Sequence, residues 1–556
     1  MIVRPTKWTP TTLAVTLTLL RRAGLTEMID SRCRFDKAQR NLTPGEVVLL
    51  LIGATVLRNR RIPLYKMEEF YSHIPVSGIL GKNVEPGMLN DHALARGLDC
   101  LSGIDRRQLA WDVSRRFEVD FGIVSDILHL DQTKVRTFVI APPEVPEGVP
   151  RPEYGLDKEG RTDFRLYTVN SMTDSAGVIR YIDTADGNAA DPAMDADAIT
   201  FVLNNTDPER TVVVMDSKGA NSEVVELADE GGLAIVSKVP ANFSSRIRDR
   251  IGDDIRATGW GPVSDTKRGH RFFDTDVHID GPSGDDGKRG PGRDMRLVAF
   301  RSEKMVSDRR ASLLRAGGKA ALRVAGRFGK ALFDSEASAM MAVGQAQEEL
   351  LPTGHALKWS LEYIDMPETR ARRGRPAAGE VRTTVRKWKV VCEPVVDEEW
   401  TDVLNERDAY EVLVTNLPRP GDGTTGGGDV RKGASPETVL SLYLGQYRQE
   451  HSFRLLKGHV GLCDVYFKTP SREASMVLVL GIAAMVRNVV NHRFKERRGT
   501  FTTFEDMVDR WAMARLKVVG GELELDGDAD QMYDVMERLN LTEEGILGTL
   551  DRRTGD

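Results

Sequence analysis

Three carboxylates and one short helical stretch carry the chemistry legible in this chain. Asp131 closes the apolar run "ILHL", Asp216 closes "TVVVM", and Glu450 lies within "YLGQYRQEHSFRLLKGH" at 443–459. In that stretch Tyr443, Glu450 and Lys457 fall seven residues apart, with Gln446 between the first two. On a helix of 3.6 residues per turn these positions span an arc of about 60°, so their side chains point the same way, with Arg454 close to the stripe. Singly, a strand-ending aspartate is an ordinary turn residue, and a lone Glu–Lys pair at this spacing is an ordinary solvated face. In order, two strand-end aspartates and a helical glutamate make a set of oxygen donors suited to Mg²⁺, which prefers carboxylate and water. Such a set serves phosphodiester chemistry, where two metal ions neutralise the phosphoryl group and activate the attacking oxygen.

The elements that must position these residues follow from pattern. Residues 10–118 read as helical, with Leu-, Ala- and Arg-rich periodic stretches at 11–24, 44–58, 92–102 and 105–117. "TPGE" at 43–46 is a helix start, with threonine as N-cap, proline first and glutamate third. From 126 the pattern changes. "DILHLDQTKV" (126–135), "DFRLYTVNSM" (163–172) and "GVIRYIDT" (177–184) read as strands, and "DADAITFVLNN" as a helix. "TVVVMD" (211–216), "NSEVVELADE" and "GLAIVSKV" (232–239) add a strand, a helix and a strand. Beyond Pro240 the alternation stops, and 243–432 mixes short strand candidates with basic helical segments. Its breaks "GPSGDDGKRGPGR" (281–293) and "RPGDGTTGGGDVRKGASP" (419–436) read as loops. The glutamate helix is expected to start at Ser435 and Pro436, followed by an apolar helix at about 472–494 and a polar helical tail.

At 556 residues the chain has room for about three or four domains. Its longest apolar run, "MVLVLGIAAMV", is eleven residues, short of the ~20 that span a bilayer, so it reads as a buried helix. The N-terminus has no convincing signal peptide. Cys33, Cys100, Cys392 and Cys463 form no C-x-x-C pair, which argues against a disulfide framework or cysteine zinc site and suits a cytosolic setting. The histidines show no H-E-x-x-H or paired metal spacing, and "GWGPVSDTKRG" contains no G-x-G-x-x-G and no Walker pattern, so no nucleotide cofactor is expected. His129, on the first strand, reads as a core histidine. The net charge of −6 hides basic runs: eleven Lys/Arg against four Asp/Glu in 1–61, eight against one in 304–333, and eight against two in 366–390. Three such runs suggest a polyanion partner. "RGRP" at 373–376 resembles a minor-groove hook, although a basic turn reads equally well. In "VRKWKV", alternation sets Arg386 and Trp388 on one face and Val385, Lys387 and Lys389 on the other. An aromatic among cations suits base stacking beside phosphate contacts.

The ordered set resembles the DDE transposases of bacterial and archaeal insertion sequences, in the branch bearing a Tyr-x2-Arg-x3-Glu-x6-Lys signature. Tyr443, Glu450 and Lys457 match it, and Gln446 stands where the family has arginine, a loss Arg448 or Arg454 could offset. "LHLDQT" and "VVVMDSKGANSE" with "AIVSKVP" resemble the two aspartate blocks, and "TPGE" and "LNDHALARGLD" (89–99) the helical N-terminal domain of some members. The resemblance implies an α/β fold: a ribonuclease-H-like mixed-sheet core interrupted by a β-rich insertion, with a helical N-terminal domain. The expected domains are 1–118 for DNA binding or assembly, 119–242 and 433–500 for the core, 243–432 for the insertion and 501–556 for a helical tail. It implies catalysis by Asp131 (bridging), Asp216 and Glu450 on two Mg²⁺ ions, with Mn²⁺ able to substitute. Tyr443, Gln446, Arg448, Arg454 and Lys457, with Arg386, Lys387, Trp388 and Lys389 of the insertion, would contact DNA. The partners implied are terminal inverted repeats, target DNA and a second protomer, in a cytoplasmic, nucleoid-associated setting without membrane. Two rivals are a ribonuclease-H-like nuclease without strand transfer and a catalytically silent DNA-binding protein.

Overall fold

The start expected at 43–46 is built as a reciprocal cap. The Thr43 backbone N–H donates to Glu46 (2.7 Å), and the Glu46 N–H donates to Thr43 Oγ1 (3.2 Å). Two otherwise orphaned donors at the helix end are thereby satisfied. The computed structural model in which this is seen describes residues 8–58, 61–123, 126–138, 145–146, 148–156, 160–189, 191–216, 220–239, 241–267, 269–282, 290–367, 384–421, 429–458, 461–462, 467 and 469–551. The "RGRP" segment and Cys463 lie outside them. The capped helix is α3 (Pro44–Arg58), which follows α1 (Thr11–Arg22) and α2 (Leu25–Arg32) and precedes α4 (Asp91–Leu101) and α5 (Arg106–Phe121). Apolar on nearly every side, α3 is enclosed by α1, α2, α4 and a later helix, as such a pattern requires.

The chain divides into two compact units, Met1–Ala241 with Val277–Met295 and Val414–Asp556, and Asn242–Asp276 with Arg296–Leu413. In the first unit, β1 (Ile127–Thr137), β2 (Arg165–Asp174) and β3 (Ile179–Ala185) are joined by antiparallel pairing. After α6 (Asp191–Asn205) comes β4 (Val212–Met215), parallel to β1, and after α7 (Ser222–Glu230) comes β5 (Ala234–Lys238), parallel to β4. The spatial order is therefore β3-β2-β1-β4-β5, with the two-residue strand Glu153–Tyr154 also on β2. Every element expected between 126 and 239 is present in the expected order.

Residues alternate between the faces of β1. Gln132 donates to Asp195 of α6 (2.9 Å), and its cross-strand neighbour Asn170 donates to the Met194 carbonyl (3.1 Å), so α6 covers that face. The opposite face meets α8 (Pro436–Leu444), α9 (Tyr447–Lys457) and α10 (Pro470–Glu496). There Thr137 Oγ1 donates to Glu473 of α10 (2.6 Å). Ser435 caps α8 with Pro436 in its first turn, as expected. Among the described residues α10 alone is long and apolar enough to cross a membrane, and its most apolar stretch is wholly enclosed by protein. It is a core helix.

The tail departs from the expected all-helical form. Arg515–Val519 and Glu522–Asp526 form a hairpin turning at Gly520 and Gly521, both at positive φ, and Thr9–Pro10 adds as a third strand. "VVGGELELD" carries the signal: two glycines between alternating residues favour a two-residue hairpin turn. Nor do 1–118 and 501–556 stand apart from the core, since their side chains share one apolar cluster with α10. In the second unit the expected β-rich insertion is a mixture. Strands His355–Pro367 and Thr384–Val396 form an antiparallel ribbon, accompanied by the helices Glu303–Phe328, Glu336–Leu350 and Glu398–Asp408. The first of these is rich in Ala, Leu and Arg, which favour helix.

Candidate active site

The register of the sheet brings the first two carboxylates level. Leu130 of β1 pairs with Met215 of β4 in the parallel direction, so Asp131 and Asp216 follow at the same height on neighbouring strands, whose spacing is ~4.8 Å. Asp131 lies where β1 outruns β4, and Asp216 is exposed just past the end of β4. Ser237 Oγ of β5 donates to the Asp216 carbonyl (2.8 Å), fixing the backbone there.

The helix that carries Glu450 packs on the same face. Asp131 shares its face of β1 with His129, two residues back. A β-carbon on Gly445, between α8 and α9, would sit 2.7 Å from His129 Cε1, so glycine lets the helical joint rest on the imidazole. Gln446 donates to the Leu130 carbonyl (3.4 Å), and buried Gln449 donates to the Ser171 carbonyl (2.9 Å), Ser171 being the cross-strand partner of Asp131. The helix carrying Glu450 is thus pinned across β1 and β2 beside Asp131, and Glu450 itself is exposed.

The three carboxylates are not gathered into a ready ligand set. Among the described residues no group of three or more His, Cys, Asp or Glu side chains is arranged to hold a metal ion. The Asp131 carboxylate accepts from the N–H of Gln132 (2.7 Å). Their oxygen donors suit Mg²⁺ and their elements share one end of the sheet, but the arrangement is not a coordination sphere. His129 is buried, its Nδ1 has no hydrogen-bond partner, and burial with the nearby Arg448 charge pushes its pKa down to about 4. It is a neutral core group, as expected.

The single helix expected to carry Tyr443 through Lys457 is broken. α8 ends at Leu444 and α9 begins at Tyr447, with the bonds from Gln446 N–H to Tyr443 O and from Arg448 N–H to Gly445 O spanning three residues instead of four. Such tightening turns the chain by more per residue, so Tyr443 is rotated off the stripe of Gln446, Glu450 and Lys457. Tyr443, Gln446, Arg448 and Lys457 are half-buried, and Arg454 is exposed. Sequence reasoning missed Gln449 and Gly445. The signal for the latter was a glycine inside a helical pattern.

In the second unit the insertion cations meet carboxylates. Arg386 pairs with Asp365 (3.2 Å) and lies over the Tyr363 ring (4.2 Å), Lys387 pairs with Asp334, and Lys389 lies across the ribbon from Glu362. Trp388 faces the same way as Arg386, as alternation requires. Its backbone bridges Phe333 in both directions (2.8 Å each), and its half-buried ring meets Tyr363 edge-on and borders a cluster including Phe328, Leu350 and Val390. Helix Glu303–Phe328 is likewise answered, with Arg309 on Asp408, Arg310 on Asp402 and Glu398, and Arg327 on Glu349.

A family model described as a domain of unknown function, DUF4277, matches residues 12–114, the helical N-terminal segment. No curated protein matches the chain. Among solved structures the chain is similar to a piggyBac transposase synaptic complex with hairpin DNA, at 8% identity and a TM-score of 0.37, over 92% of this chain and 82% of that one. A likeness at this level does not fix a fold or a function.

Proposed function

We propose that this chain is a DNA transposase of the DDE class, with Asp131, Asp216 and Glu450 as its catalytic carboxylates. One observation carries the reading: the β1–β4 register sets Asp131 and Asp216 level on adjacent strands, beneath a helix bearing Glu450 that is pinned to the same face. The strand order β3-β2-β1-β4-β5, three antiparallel and two parallel, within a sheet that continues beyond β5, is the order expected of a ribonuclease-H-like core and supports the reading. Asp131, Asp216 and Glu450 would hold two Mg²⁺ ions, or Mn²⁺ in their place, which supply charge neutralisation at the scissile phosphate. The chain's own contribution is placement: Ser237 fixes the Asp216 backbone, and Gln446 and Gln449 hold the glutamate helix over Asp131. The substrates would be terminal inverted repeats and target DNA, handled by a homodimer because two ends must be joined.

The test is cleavage and joining of a labelled duplex carrying the ends of the element that encodes this chain. Cleavage with joining supports a transposase, cleavage alone a nuclease, and binding alone the silent DNA-binding protein that the dispersed carboxylates would favour. Asp131→Asn, Asp216→Asn and Glu450→Gln should each lower Mg²⁺-dependent cleavage by at least about a hundredfold, a loss typical of removed electrostatic groups, while duplex affinity changes little. A variant retaining near-normal cleavage removes that residue from the mechanism.

A further inference from the structure

Among the described residues many basic side chains meet carboxylates, and the group formed by Arg448, Arg454 and Lys495 does not. Helices α9 and α10 face each other through Tyr447, His451 and Arg454 on one side and Asn488, His492 and Lys495 on the other, each set at helical same-face spacing. With Arg448 and the β2–β3 turn at Gly177 they enclose a cavity of about 260 Å³. Asn488 donates to the Gly177 carbonyl (2.7 Å) and closes its floor. The nearby acids are Glu496, whose carboxylate is taken by His492 (3.1 Å) and Arg493 (2.9 Å), buried Asp174, which pairs with Arg180 (3.8 Å) and interacts with His492, and Glu450, one turn before Arg454. Arg448, Arg454 and Lys495 are ion-paired to no carboxylate among the described residues. Arg448 lies over the Tyr447 ring (4.9 Å), and Arg454 contacts His451 Nδ1 (3.1 Å). An imidazole accepting from a guanidinium is neutral, so His451 orients Arg454 without adding charge.

Three unneutralised cations around one small cavity repel each other, and an oxyanion between them relieves that repulsion. We propose that this cavity is a phosphate-binding site for the DNA backbone, clamped by Arg448, Arg454 and Lys495, with exposed Tyr447 at its rim against a sugar or base. It opens on the helix that carries Glu450, one residue before His451, so a strand seated there passes beside the candidate active site. The inference rests on the DNA-processing reading above and adds a contact set that includes α10.

Duplex affinity of the full chain, measured across salt concentration, tests it. In the Arg448→Gln/Arg454→Gln/Lys495→Gln variant the slope of log affinity against log salt should flatten by about 0.9 per lost contact, or about 2.7 in all. The Arg454→Gln/Lys495→Gln pair alters only exposed side chains. It should flatten the slope by about 1.8 even if the triple variant misfolds. If wild type binds DNA and a folded variant keeps its slope, the site is overturned and the DNA reading stands. If wild type binds no duplex, the DNA reading falls and takes the site's assignment with it. Inorganic phosphate that raises the wild-type but not the variant melting temperature, with equal DNA slopes, would mark a free-oxyanion site and overturn the assignment to DNA.

Discussion

Glu473, on α10, is 1% exposed, and burial pushes its pKa up from 4.5 to about 7 despite the Thr137 hydrogen bond. A carboxyl whose folded pKa is raised holds its proton more tightly in the fold. Its contribution is therefore neutral below about 4.5 and increasingly unfavourable up to about 7, after which it levels off. A rise of this size corresponds to a ceiling of about 3 kcal/mol. Glu473→Gln should raise the melting temperature at pH 8 and leave it unchanged at pH 4.5; lower stability at pH 8 would show that the ionised carboxylate is favourably held. Gly445 offers a steric test. Alanine there would press on His129 at 2.7 Å, costing about 1–3 kcal/mol as overpacking does. Gly445→Ala should lower cleavage together with the denaturation midpoint, since the joint moves with the helix it begins. A fully active, fully stable variant would show that α9 does not depend on this contact.

At the scale of elements, the ribbon His355–Pro367/Thr384–Val396 shows how a local pattern acquires a different use in three dimensions. Alternation correctly sets Arg386 beside Trp388, but Asp365 and Asp334 neutralise the cations and the indole borders an apolar cluster. Trp388→Ala should therefore destabilise the second unit by about 2–3 kcal/mol, below the range for a fully buried tryptophan, as read from its denaturant midpoint. A variant of unchanged stability that binds DNA ten- to a hundredfold more weakly would instead restore the stacking role.

Across the whole molecule, the tail is part of the core. Fully buried Arg487 of α10 pairs with Glu505 (2.6 Å) and lies over Phe504 (4.9 Å). Arg538 donates to the Phe501 carbonyl (2.7 Å), and Arg21 of α1 donates to the Thr549 carbonyl (2.7 Å). Removing 501–556 would strip Phe501, Phe504, Met507 and Trp511 from the cluster that also holds α1 and α3. A chain ending at 500 should lack a cooperative unfolding transition by circular dichroism; a stable, proteolysis-resistant product would show that the tail is a separate domain. Arg487→Ala, removing this buried ion pair and the packing of the guanidinium on Phe504, should cost about 3 kcal/mol.

The sequence by itself determined the elements and their order from 126 to 239, the caps at Thr43 and Ser435, and the buried character of α10. Period, capping chemistry and apolar runs are local, and here nothing distant overrides them. The two aspartates were also legible, because each closes an apolar strand. Whether they stand level was not, since register is set by pairing between segments some eighty residues apart. Charge was only partly legible for the same reason. The runs at 304–333 and 366–390 look like binding faces in one dimension, yet carboxylates brought in by folding answer many of their cations. Arg448, Arg454 and Lys495 form no run at all, and become a cluster only when α10 packs beside α9. Electrostatic neutralisation depends on distances of a few ångströms, which only the tertiary structure decides.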